Sequence, residues 1–343
     1  MEHALMCPQC NAPLTPHRFA SSIVCAYCGA TVKLDEASVS ASIFHEAFRA
    51  WNSPNSYQIS SWITIGNRHW ALEKLIAQGE FADVYTARLA RWPTELVIVK
   101  LLRDRQDAKR FDNEWNALQS LQKSDAPGAD TFTRLIPQPV LHGDITAGSF
   151  SGRRVSVFRW ASGFYHTFDE VIRAYPGGIA PRASIWVWRR ILEVLSFIHA
   201  SGMAHGAVIP ANLLVQENDH GVRLVGYSLA GQLNEKLGAV SPASAAFYPK
   251  PAQSWPTLTP QLDLVLSARC IAALMGGDPE TATLPGTVPT RLAEIVRRIA
   301  LSQPGAAAGV HGSTMHAWAI REELGQIAQE VFGPPRFIPI KMP

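Results

Sequence analysis

Ser201-Gly202-Met203-Ala204-His205-Gly206-Ala207-Val208-Ile209-Pro210-Ala211-Asn212-Leu213-Leu214 joins a helical pattern ending near Ser201 to an apolar run, Gly221-Val222-Arg223-Leu224-Val225, which enters Gly226-Tyr227-Ser228. His205 and Asn212 stand here among mostly small and apolar residues, on a loop between a helix and a strand. Upstream, Leu72 to Ile76, Val84 to Arg88 and Leu96 to Leu101 are short β-rich runs separated by turn residues. A helix is expected from about Asp107 to Gln122, with Phe111, Trp115, Leu118 and Leu121 on one face. Beyond Pro181 the chain is mainly helical, with amphipathic stretches at Ala183 to Ser201, Gln261 to Gly276, Pro289 to Ser302 and Met315 to Phe332. A β-rich part followed by a helical part is the outline.

The order and spacing of these segments resemble a bacterial serine/threonine protein kinase over roughly Ile63 to Phe332. Ile76 to Val84, with Gly79 and Val84, occupies the place of the family's glycine-rich phosphate loop. Val97-Ile98-Val99-Lys100 is similar to the strand that carries its phosphate-binding lysine. Glu114, fourteen positions on, stands where the family has the helix glutamate that pairs with that lysine. Val155 to Phe164 reads as a strand running into a hinge. The His205 loop is similar to the catalytic loop, with His205 and Asn212 at the family separation, and Gly226-Tyr227-Ser228 takes the place of D-F-G. Asp263 resembles the helix aspartate that anchors the catalytic loop. The resemblance implies an α+β, bilobal protein-kinase-like fold, with a β-rich N-lobe (about 63–160) and a helical C-lobe (about 161–332).

The departures fall on the chemistry. In an active kinase one aspartate positions the substrate hydroxyl and another holds magnesium. Those positions are Ala207 and Gly226. A methyl group accepts no proton, and glycine offers no oxygen ligand to a hard cation. The loop arginine is Gly206, two loop glycines are Ala77 and Ala82, and Ile98 replaces the small residue two before the lysine. No catalytic residue is therefore assigned, and Gly79, Val84, Lys100, Glu114 and Asn212 are read as a vestigial nucleotide site. His205 and Asp263 are read as structural. The retained Lys100 and Glu114 are consistent with scaffold or with weak nucleotide binding.

Five cysteines are present, four of them as Cys7-Pro-Gln-Cys10 and Cys25-Ala-Tyr-Cys28. Two Cys-x-x-Cys pairs supply the four sulfurs that structural zinc prefers, with no open position for catalysis. Two disulfides, or a redox pair, are the alternatives, which a cytosolic redox poise and the missing thioredoxin-like pattern disfavour. The pattern looks like a zinc ribbon over residues 1–35, followed by a linker at 36–62 with a short helix near Ala41 to Trp51, and the chain ends in a Pro-rich tail at 333–343. Cys270 is expected in the core, and His142, Asp144, His166 and His220 on turns.

The remaining bounds are simple. The chain has 343 residues, 47% hydrophobic and 17% charged, with mean hydropathy near zero, which suits a globular protein. No apolar stretch reaches a membrane span and the N-terminus lacks a signal pattern, so a cytoplasmic location is expected. A net charge of +3 with few basic residues in the ribbon gives nucleic-acid binding little support. The leading expectation is a catalytically impaired kinase homologue, a pseudokinase that binds a protein partner, holds structural zinc and does not use ATP or magnesium. The alternatives are an atypical kinase that keeps ATP through Lys100 and Asn212 and recruits an acid such as Asp219 or Asp144, and nucleic-acid contact through the ribbon.

Overall fold

The computed structural model describes residues 5–6, 13–14, 22–25, 31–33, 59–90, 95–216, 220–250, 257–303, 316–336 and 338–342. The expected helix at Ala41 to Trp51 lies outside them. Near the N-terminus β1 (Leu5–Met6) pairs antiparallel with β2 (Pro13–Leu14), and β3 (Ser22–Val24) with β4 (Thr31–Lys33).

Six strands then form one closed barrel: β5 (Ser61–Ile65), β6 (Arg68–Gln78), β7 (Ala82–Leu89), β8 (Leu96–Leu102), β9 (Pro139–Gly148) and β10 (Arg154–Arg159). The sequence of β8 shows why. Its β-branched residues alternate, so Val97, Val99 and Leu101 are fully buried inside while Ile98 and Lys100 face outward. Trp70, Leu72, Val155 and Val157 fill the interior from neighbouring strands.

Closure corrects the expected outline of separate short runs. β5 pairs with β6 on one side and β9 on the other, and β9 pairs with β10. Neither β5 nor β9 was expected as a strand. Most of β9 is half-buried or exposed and only Ile145 is buried, so it carries no alternating apolar signal. His142 and Asp144, expected on turns, lie within it.

Helix α1 (Ala108–Gln122) lies against the outer face of this barrel, entered through a turn in which the Asp104 carboxylate accepts from the backbone N–H of Gln106 at 2.9 Å. Phe111, Glu114, Leu118 and Leu121 are buried on it at helical spacing. A short α2 (Ala129–Phe132) follows. The second half holds α3 (Phe168–Ala174), α4 (Pro181–Ala200), α5 (Pro260–Leu274), α6 (Thr290–Ala300) and α7 (Ala317–Phe332). It also holds the strands β11 (Phe164–Thr167), β12 (Met203–Ala204), β13 (Leu213–Gln216), β14 (Val222–Leu224) and β15 (Gly231–Gln232). β13 pairs with β11 and β14, and β12 with β15.

Proline at N1 starts both α4 and α5, where its missing N–H costs no helical bond. The hydroxyl of Thr259 caps α5 by accepting from the N–H of Leu262 at 3.2 Å. The indole N–H of Trp188 donates to Ser267 Oγ at 3.1 Å, tying α4 to α5. Arg190 and Arg321 both bond Glu193, tying α4 to α7. Cys270 is fully buried in this core. No helix among the described residues is long and apolar enough to cross a membrane.

Candidate functional site

Strand register places Val84, Lys100, Ser156 and His142 in one row across the outer face of the barrel. Helix α1 covers the middle of that row. A glutamate at 114 sits in the buried stripe of α1 and needs a partner there. It finds two: Lys100 Nζ forms an ion pair with Oε2, and the backbone N–H of Tyr227 donates to Oε1 at 3.2 Å. The neighbouring Asn113 side chain donates to the carbonyls of Ser228 at 3.0 Å and Ala230 at 2.8 Å. Helix α1 is thereby tied both to the barrel and to the segment after Gly226.

The loop from Ala204 to Leu214 is organised by Asp263, which is fully buried at the start of α5. Its carboxylate accepts from the backbone N–H groups of His205 and Gly206, each at 2.8 Å, and from His199 Nε2 at 2.9 Å. Position 206 requires glycine, because its φ is +72° and an added Cβ would lie 2.6 Å from Leu258. The His205 ring is satisfied at both nitrogens. Nε2 donates to the carbonyl of Val225 at 3.1 Å, and Nδ1 accepts from the N–H of Ala207 at 3.2 Å. Full burial pushes its pKa down to about 4, so the ring is neutral at pH 7. Tyr227 packs edge-on against it, with ring centroids 4.4 Å apart.

Ala207 and Gly226 meet at Asn212. The Asn212 amide donates to the carbonyl of Ala207 at 2.9 Å. Gly226 has a φ of +77°, and a Cβ added there would sit 2.2 Å from Asn212 Oδ1. A side chain at 226 would have to displace the Asn212 amide. Ala207 is itself 5% exposed.

The turn containing Gly79 is held from outside. Gly79 N–H donates to the carbonyl of Ala82 at 2.8 Å, closing the β6–β7 hairpin. The Arg103 guanidinium donates to the carbonyls of Gly79 and Glu80, and pairs with Asp83 at 3.1 Å. Arg110 pairs with Glu80 at 3.1 Å and stacks over Phe81, whose ring is buried against Leu102 and Phe111. Ile98 is half-buried and packs on the main core.

The structure thus brings Lys100 and Glu114 together, gathers His205, Ala207, Asn212, Gly226 and Asp263 around one loop, and leaves Gly79 engaged with Arg103. Asp144, on β9, is 3.6 Å from Arg154 of β10, and Asp219 lies outside the described residues. Sequence reasoning missed Asn113, His199, Arg103 and Arg110. His199 had a signal, being the last basic residue of the helix entering the loop.

Of the cysteine set, Cys25 is described and 1% exposed, while Cys7, Cys10 and Cys28 lie outside the described residues. Among the described residues no group of metal-ligating side chains gathers. Four thiols in two Cys-x-x-Cys pairs nevertheless form a donor set suited to zinc.

Residues 7–33 match a protein family described as the PriA DNA helicase Cys-rich region (CRR) domain. No curated protein matches the chain. Among solved structures, the crystal structure of a kinase domain is similar at 12% identity with a TM-score of 0.48, covering 62% of this chain. The chain spans 64% of the length of that structure.

Proposed function

We propose that residues 63–332 form a bilobal protein-kinase-like domain that does not transfer phosphate and serves as a pseudokinase scaffold or regulator for a protein partner. The single observation that carries this reading is Asn212. Its amide lies where a side chain at Gly226 would start and bonds the backbone of Ala207, so around it stand a glycine and a methyl group where a kinase needs two carboxylates. The Gly79 turn adds support, because the Gly79 N–H, the kind of donor a phosphate would need, is spent on the carbonyl of Ala82. These residues do not fit a magnesium nucleotide. The Lys100–Glu114 pair, the Asp263 loop anchor and His205 act as scaffold, holding the barrel, α1 and the loop in one arrangement.

Residues 1–35 form a zinc ribbon in this reading, with Cys7, Cys10, Cys25 and Cys28 as ligands and the metal stabilising the fold. The test of the kinase-like part is transfer of labelled phosphate from ATP with magnesium to a generic acceptor protein. The expected result is no transfer. Transfer by the wild-type chain that Lys100→Met abolishes would overturn the proposal and favour an atypical kinase.

A second reading concerns the ribbon alone. The family matched at residues 7–33 is named for a DNA helicase, which supports contact with nucleic acid. Salt-dependent binding of the chain to single- or double-stranded DNA, lost when zinc is removed, would establish it, and no binding at low salt would dismiss it.

A further inference from the structure

Helix α1 meets the barrel at a second place beside the Lys100–Glu114 pair, and that place is built around one histidine. His142 lies on β9, in the same outward row as Ser156 and Lys100. Its ring is stacked against two aromatic residues one turn apart on α1, with centroids 5.9 Å from that of Phe111 and 5.1 Å from that of Trp115. Both ring nitrogens are bonded. Nε2 is 3.1 Å from the Asp112 carboxylate, and Nδ1 is 2.8 Å from the Ser156 hydroxyl. A carboxylate only accepts, so Nε2 carries the proton of the neutral ring and Nδ1 accepts from Ser156. Ser156 is 2% exposed, and His142 is the one hydrogen-bond partner of its hydroxyl among the described residues.

A second proton on this ring changes the arrangement. Nδ1 becomes a donor, so the buried Ser156 hydroxyl loses the acceptor it has. The new charge also lies in a site where the His142 side chain is 13% exposed. The charged groups that face it come from three elements. Asp112 on α1 and Asp144 on β9 attract it, and Arg154 on β10 repels it. Arg154 holds the same Asp112 oxygen at 2.6 Å and lies 3.6 Å from Asp144, so both acids are already shared. Lys100 and Glu114, next along the row, are paired with each other. Burial outweighs the acids and holds the His142 pKa below the usual histidine value. A proton therefore favours an arrangement in which the ring is exposed, and exposing it requires α1 to lift from β9.

We propose that His142 is a proton-operated latch on helix α1: its neutral ring fastens the helix to the barrel, and protonation loosens it. The effect reaches beyond this contact. The turn of α1 that His142 holds also carries Asn113, bonded to the carbonyls of Ser228 and Ala230, and Glu114, bonded to Lys100 and to the N–H of Tyr227. Acidification thereby acts through α1 on the segment after Gly226.

Hydrogen exchange on the full chain at about pH 7.5 and about pH 5.5, corrected for the intrinsic effect of pH, tests the latch. Protection of the α1 amides should fall at least about threefold in acid relative to those of α5, with a ceiling of about tenfold for a released ring of ordinary pKa and a docked ring that takes no proton. His142→Gln keeps an amide in place of the ring but cannot titrate, so its α1 protection should be equal at both pH values. His205 and His220 are present in both proteins, and their titration cancels in the comparison. A second measurement needs no variant. The NMR titration of the His142 ring in the wild type should have its midpoint below the usual 6.5 and run in step with the loss of α1 protection. Unchanged α1 protection in the wild type, an equal fall in His142→Gln, or a ring midpoint at or above the usual value overturns the proposal.

Discussion

Replacing Lys100 by methionine asks whether the Lys100–Glu114 pair is a scaffold element. The Glu114 side chain is 4% exposed and that of Lys100 is 18% exposed, so the substitution strands a carboxylate away from water. Breaking a buried pair by removing one partner costs about 3–5 kcal/mol. Glu114 retains the Tyr227 N–H at 3.2 Å, a contact to a charged group that offsets part of this loss. The expected cost is therefore about 2–3 kcal/mol, or roughly 5–10 °C in melting temperature for a domain of this size. A second substitution separates the causes. Glu114→Gln added to Lys100→Met removes the charge and keeps a carbonyl for Tyr227, so the double variant should return to within about 1 kcal/mol of the wild type. Urea and thermal unfolding without nucleotide give both numbers. A Lys100→Met protein as stable as the wild type, or a double variant no better than the single one, would refute the reasoning.

The remaining predictions concern stability and metal. Tyr227 is fully buried and its hydroxyl has no hydrogen-bond partner among the described residues, so Tyr227→Phe should stabilise the fold by about 1 kcal/mol, read from its urea midpoint. His205 and His220 are each held neutral in the fold by burial, with pKa values pushed down to about 4. The unfolded chain takes up a proton at each below about pH 6.5 while the folded one does not, so stability is complete above that pH and falls toward pH 4. Each should remove about 1.5 kcal/mol between pH 6.5 and 5, and His205→Gln should flatten that slope in urea titrations. Metal analysis should find one zinc per chain, and a chelator should remove it while leaving the melt of residues 63–332 within a few degrees.

The sequence carried Lys100, Glu114 and Asp263 through the order and spacing that resemble the kinase family. The structure puts Lys100 on the outward phase of an alternating strand and Glu114 in the buried stripe of a helix. Asp263 lies in the first turn of an apolar helix. What depended on distant pairing was not legible. β5 and β9 close the barrel across about eighty residues, and β9 has only one buried residue to announce it. The fate of Gly226 also needed coordinates. A missing carboxylate can be read from the sequence, but the placement of the Asn212 amide where a side chain would have gone comes from folding two separate loops together. The Arg103 and Arg110 contacts to the Gly79 turn were hidden for the same reason, since an exposed-looking arginine gives no sign of its partner. The Pro-rich tail read as a simple extension, and its alternating burial appears only against the surface it covers.

If the residues around Asn212 do not accept a magnesium nucleotide, as we propose, ATP leaves the melting temperature unchanged with or without magnesium. A site saturated at about 100 times its dissociation constant would stabilise the fold by roughly 2.7 kcal/mol, a shift of several degrees. At millimolar ATP no shift is expected in either condition. A magnesium-dependent shift of that size, lost in Lys100→Met, would contradict the proposal.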